Sequence, residues 1–206
     1  MKKRTTMLAL LLATGAGTCL QAQEKLTQFK VRDAITVRTP IMNDSINPKG
    51  EKYADKDLLK TPVVLDLADA PFQALSTDTA GVLSFPKAEK DHSIYLLETS
   101  LRAERFMTGK LKVTSPARWE IFINGESKMS KENAEDSISG ASTREVNLRL
   151  EPEADYEITI KLLSGSKDKA APTLKCELIK DDKFKDITCF VSPEQKKRFA
   201  LPNTVY

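Results

Sequence analysis

The chain has 206 residues, 40% hydrophobic and 30% charged, with eight glycines and ten prolines; this is the composition of an ordinary folded domain and excludes collagen-like and low-complexity classes. Its net charge of +3 comes from 32 Lys and Arg against 29 Asp and Glu, and the excess equals Lys2, Lys3 and Arg4 in the N-terminal segment. Without that segment the chain is neutral, which excludes the strongly basic surface that nucleic acid or an anionic membrane would require.

Residues 1–22 read as a cleaved signal peptide: the basic start is followed by an apolar run from Met7 to about Ala16 and a small-residue end, Leu20-Gln21-Ala22. The run is too short to span a bilayer, and no other stretch is long and apolar enough. Cys19 follows Thr18 rather than a small residue such as Gly or Ala, so lipid attachment is not predicted. Export to the periplasm or the cell exterior follows.

Residues 23–57 are polar and punctuated by Thr39-Pro40, Asn47-Pro48 and Lys49-Gly50, and are predicted as an extended lead-in with a short strand over 34–38 and a helical turn over 55–59. The domain proper is predicted over 58–191. Its first strand is 62–67, "PVVLDL", ended by Ala70-Pro71, and 81–85 is a second, short one. In 93–101 the period of two puts Tyr95, Leu97 and Leu101 on one face with Thr99, and in 110–114 it turns Leu111 and Val113 inward.

The stretch 118–127, "RWEIFINGES", holds the sole tryptophan. Trp119, Ile121 and Ile123 share one face and Glu120, Phe122 and Asn124 the other, and Asn124-Gly125 is the dipeptide best suited to a tight hairpin turn, whose two central residues need positive φ. Residues 126–143 are polar and predicted as a surface loop. Two clear strands follow, 144–150 with Val146, Leu148 and Leu150 together, and 156–163 with Tyr156, Ile158, Ile160 and Leu162 together, joined by a turn over 151–155. Ser164-Gly165-Ser166 reads as a mobile linker, and 192–206 as a tail leading to a downstream domain. Seven or eight short strands with one apolar face each predict an all-β antiparallel sandwich of jelly-roll or galactose-binding-like type.

Two cysteines remain beyond the leader. If 174–179 and 187–191 form a hairpin centred between Asp182 and Lys183, Cys176 and Cys189 fall opposite each other; the alternatives are a disulfide and two buried reduced thiols.

Chemistry is sparse. His92 is the single histidine and lies in a polar turn, "EKDHSIY", with no Gly-x-Ser-x-Gly elbow to pair with it, so it is read as solvated and no catalytic residue is assigned. One histidine and two distant cysteines make no zinc site, the acidic run 132–136 fits no calcium loop and carries lysines beside it, and no Gly-rich phosphate loop exists. No cofactor or metal is expected. Trp119 belongs to the core by phase, whereas Phe122 is the candidate for contact with a glycan or a neighbouring domain.

The order "GKLKVTSPARWEIFINGESKMSKENAEDS", "REVNLRLEPEADYEITIKLL" and "APTLKCEL" resembles the N-terminal β-sandwich of secreted serine peptidases of the prolyl oligopeptidase family. The resemblance is carried best by "GKLKVTSP" and the "ING" turn, and "EQKKRFALPNTVY" looks like the lead-in to a propeller. It implies a non-catalytic accessory domain whose partners are a downstream propeller and hydrolase domain, neither contained in this sequence. The strand pattern is also similar to galactose-binding-like jelly rolls, which implies a carbohydrate-binding module.

Overall fold

A computed structural model describes residues 23–32, 35–37, 46, 50–51, 54–60 and 72–192. The leader, the strand expected over 62–67 and the tail beyond Ser192 lie outside the described residues.

Two antiparallel sheets face each other. The five-stranded sheet runs β1 (Gln23–Lys25), β12 (Thr173–Lys180), β7 (Met107–Thr114), β10 (Thr143–Leu150), with β5 (Val82–Ser84) also paired to β12. The eight-stranded sheet runs β4 (Gln73–Ser76), β2 (Gln28–Val31), β6 (His92–Ala103), β11 (Asp155–Gly165), β8 (Arg118–Ile123), β9 (Glu126–Lys131), and β3 (Ile35–Val37) and β13 (Cys189–Ser192) also pair with β6. Among the described residues the one α-helix is α1 (Asp57–Lys60), and no helix is long and apolar enough to cross a membrane.

The alternation predicted from the sequence builds the core. Leu111 and Val113 from β7, Val146 and Leu148 from β10, and Leu174 and Leu178 from β12 meet Tyr95, Leu97 and Leu101 from β6, Trp119 and Ile121 from β8, and Ile158, Ile160 and Leu162 from β11 in one cluster. Trp119 and Ile121 are fully buried, and each buried aliphatic side chain of this core contributes about 1.5 to 3 kcal/mol by leaving water. Gly109 lets β7 and β12 approach: a Cβ there would lie 2.4 Å from the Ile179 carbonyl oxygen. Asn124 and Gly125 take φ of 51° and 79° between the paired Ile123 and Glu126, the two left-handed residues that a type I′ turn requires.

Several expectations are corrected. Residues 23–31 are not a lead-in, since β1 joins one sheet and β2 the other. The polar stretch after the Asn-Gly turn starts as a strand: β9 pairs with β8 through a register shift at Ile121 and Phe122, because a tight turn delivers the returning backbone to the hydrogen-bonding edge whatever its side chains. In the linker expected at 164–166, Ser164 and Gly165 are instead the end of β11, paired to Ser93 and His92, and the turn begins at Ser166. The turn expected over 151–155 does join the two strands, and it crosses from sheet to sheet, since β10 pairs with β7 and β11 with β6 and β8.

The hairpin expected to bring the cysteines together does not form either. After β12 a short 3-10 turn, Asp182–Phe184, sends the chain to the opposite sheet. Cys176 pairs in register with Val113, and Cys189 with Ala103; both thiols are free. Cys189 Sγ lies 3.2 Å from Met107 Sδ, and burial pushes its pKa up to about 11. The crossing is held by Lys180, whose buried Nζ donates to Glu24 Oε1 at 2.5 Å and to the Ile187 carbonyl at 2.6 Å.

Candidate ligand-binding groove

The eight-stranded sheet has a second face, opposite the core, built by the alternate residues of β6, β11 and β8. At one end it is apolar and covered: Ile94, Leu96 and Leu163 pack with Leu58 and Leu59 of α1 and with Phe72 in a separate cluster. Lys161 Nζ donates to the Leu59 carbonyl at 2.6 Å, and burial lowers its pKa to about 8 against the attraction of Glu120. Ahead of α1, Asp55 is gripped by Arg118 at 2.9 Å and by His92 Nε2 at 3.1 Å, and Arg118 reaches on to Asp168 at 2.9 Å.

His92 is therefore not the solvated turn residue the sequence suggested. It is 5% exposed, stands against Gly165, and its Nδ1 is buried without a hydrogen-bond partner among the described residues. The residues that bury it come from positions far along the chain, which local polarity could not reveal.

At the other end the same face is open. A groove of 570 Å³ is lined by Ser100 and Arg102 from β6, by Glu104 just beyond its end, by Glu153 and Asp155 at the entry to β11, and by Phe190 and Ser192 of β13. Register explains the assembly: Phe190 and Asp155 both pair with Arg102, and Ser192 pairs with Ser100, so their side chains emerge as a row across three strands. Phe190 is 55% exposed, a large apolar ring in water beside charged groups. Arg102 is ion-paired with Glu153. Glu153 sits at φ 61°, a left-handed position uncommon for a glutamate, in the turn that crosses between the sheets. Chemically the groove offers one ring face, a guanidinium fork, carboxylate acceptors and two hydroxyls.

Phe122 does not supply this surface. It lies on the outer face, as its phase predicts, but is 3% exposed and has no ring face for a ligand. Phe190 is what sequence reasoning passed over, although a signal existed: in "TCFVS" it falls out of phase with Cys189 and Val191, which pack on the core. The acidic run 132–136 does not converge. Glu132 pairs with Lys56, Glu135 with Lys131 and Asp136 with Lys169, and among the described residues no cluster of three or more His, Cys, Asp or Glu is placed to hold a metal ion. Lys131 is itself structural, donating to the carbonyls of Ser115, Pro116 and Ala117 at 2.9 to 3.1 Å.

No protein-family model and no curated protein matches this sequence. Solved structures overlap it at low similarity. A β-glucosidase from Kluyveromyces marxianus in complex with glucose is 12% identical with a TM-score of 0.43, over 77% of this chain and 16% of that one. A PA14 sugar-binding domain from an RTX adhesin is 12% identical with a TM-score of 0.36, over 82% and 96%. A PA14 domain of the antifreeze protein MpAFP is 9% identical with a TM-score of 0.34, over 98% and 93%. The chain thus spans about a sixth of the β-glucosidase. Similarity at this level assigns no family and no ligand.

Proposed function

We propose that this is a non-catalytic, exported β-sandwich that binds carbohydrate in the groove at Phe190. The observation that carries the reading is the half-exposed Phe190 ring standing in register with Arg102 and Asp155. A pyranose presents a face of C–H bonds and a rim of hydroxyls; an exposed ring answers the first, and Arg102, Glu104, Asp155, Ser100 and Ser192 answer the second. The basic and apolar N-terminal segment supports export, to where glycans are met.

The test is a glycan panel titrated against the purified domain. Binding of at least one neutral glycan is expected, weakened about tenfold by Phe190→Ala, the scale of one lost aromatic contact. Wild-type affinity in Phe190→Ala, or no binding across the panel, would overturn the reading. The resemblance to the leading sandwich of prolyl oligopeptidase-family peptidases is carried best by "GKLKVTSP" and the "ING" turn; a downstream reading frame with propeller repeats and a Gly-x-Ser-x-Gly elbow would support it.

A further inference from the structure

The Phe190 groove carries more negative than positive charge. Three of its lining side chains are carboxylates, Glu104, Glu153 and Asp155, against one guanidinium, Arg102. Arg102 is ion-paired with Glu153, which matches the guanidinium and leaves the lining with an excess of two negative charges. A sugar that bears only hydroxyls does nothing to answer that excess.

The carboxylates are spread along the groove rather than gathered. Among the described residues no group of three or more His, Cys, Asp or Glu is placed to hold a metal ion. Register sets the spacing: Asp155 and Phe190 pair with Arg102 from opposite sides of β6. The row from β11 to β13 therefore covers two interstrand gaps, about 10 Å, the length of two linked sugar rings.

Glu104 is the carboxylate on the Phe190 side. It follows the buried Ala103 and lines the groove, and its backbone fixes its place: the Glu104 amide donates to the Thr188 carbonyl at 3.1 Å, carrying the β6–β13 pairing one step past Cys189. Its side chain is exposed and has no ion-pair or hydrogen-bond partner among the described residues. The neighbouring Phe190 ring is 55% exposed, and the face of an aromatic ring is itself negative. An ammonium held between them is attracted by both.

We propose that the groove prefers an amino sugar with a free ammonium, glucosamine in a β-linked chain, with one ring seated on Phe190 and its ammonium received by Glu104. The proposal rests on the carbohydrate reading of this groove and adds the charge of the ligand. Because Glu104 is exposed, the preference is severalfold rather than orders of magnitude.

The experiment is a titration of the ¹⁵N-labelled protein at a pH of about 6, where a sugar amine is protonated. The ligands are cellobiose, its diamino counterpart carrying an ammonium in place of one hydroxyl on each ring, and the neutral N-acetylated form of that diamine. The diamine is expected to bind about fivefold tighter than cellobiose, to shift the amide signals of residues 100–104, 153–155 and 189–192, and to lose its margin as salt is raised. The N-acetylated form is expected to show no margin over cellobiose. Glu104→Gln, which keeps the shape and removes the charge at an exposed position, is expected to cut the ratio between diamine and cellobiose severalfold. Ethanolamine, an ammonium without a sugar ring, is expected to bind far more weakly than the diamine. Equal affinity for diamine and cellobiose, with both weakened by Phe190→Ala, would overturn the amino-sugar preference and leave the carbohydrate reading standing, whereas binding of none of the three sugars would overturn both. A margin that survives Glu104→Gln intact, shifts located outside the groove, or ethanolamine as tight as the diamine would each overturn the preference as well.

Discussion

The outer face of the eight-stranded sheet is one surface made by the same strands, β6 and β11, yet its two ends have opposite fates. At the end bearing Ile94, Leu96 and Leu163 the outward positions are apolar, and α1 covers them with Leu58 and Leu59. At the end bearing Ser100, Arg102 and Asp155 they are polar, and the face lies open around Phe190. The lesson is that a sandwich need not present two equivalent solvent faces: three apolar outward side chains suffice to attract a covering segment, and the rest of the face stays available for a ligand.

That contrast can be broken at the covered end first. Leu59→Ala removes a side chain that is 2% exposed in the small cluster and is expected to destabilise the fold by about 2 to 4 kcal/mol in urea unfolding. Arg118→Ala removes the guanidinium from the nearly buried Asp168 and leaves Asp55 with His92; the expected loss is about 2 to 3 kcal/mol, whereas Arg102→Ala at the open end, removing a partly exposed pair, is expected to cost under about 1 kcal/mol. If the two arginines cost the same, the covered end is not held as described.

Lys161 sharpens the same comparison through pH. Its folded pKa of about 8 lies below the ordinary value of 10.5 because burial under α1 disfavours the charged form. Between those values the unfolded chain holds the proton that the folded one has released, so the contribution of Lys161 to stability, read as the difference between the protein and its Lys161→Met variant, is expected to rise as pH increases from about 8 towards 10.5, by up to about 3 kcal/mol. Lys161→Met is expected to remove that rise, with urea midpoints against pH as the measurement; an unchanged slope would refute the role given to burial. The smallest stability effect belongs to Phe190→Ala, within about 0.5 kcal/mol as for an exposed position, although it is the variant expected to lose glycan binding.

Much of this architecture was legible residue by residue. The phases of Trp119, Ile121 and Ile123, of Val146, Leu148 and Leu150, and of Ile158, Ile160 and Leu162 place them in the core as read, and the Asn124-Gly125 turn has the backbone its residues demand. The groove was not legible. Phe122 and Phe190 are both outward-phased aromatics in short strands, yet one is buried and the other exposed, and nothing near either residue in the chain distinguishes them.

What the sequence by itself determined is the period of two: which side chains of each strand face the core, because successive side chains point to opposite faces under local backbone geometry alone. What only the tertiary structure decided is which strands pair and what covers their outer faces. It sent Cys189 to β6 rather than beside Cys176, turned a polar stretch into β9, and closed Asp55 and Gly165 around His92. The placing of Cys189 and the burial of His92 depend on contacts between residues tens of positions apart, where the burial gained by closing long loops, rather than any neighbouring residue type, selects the partner.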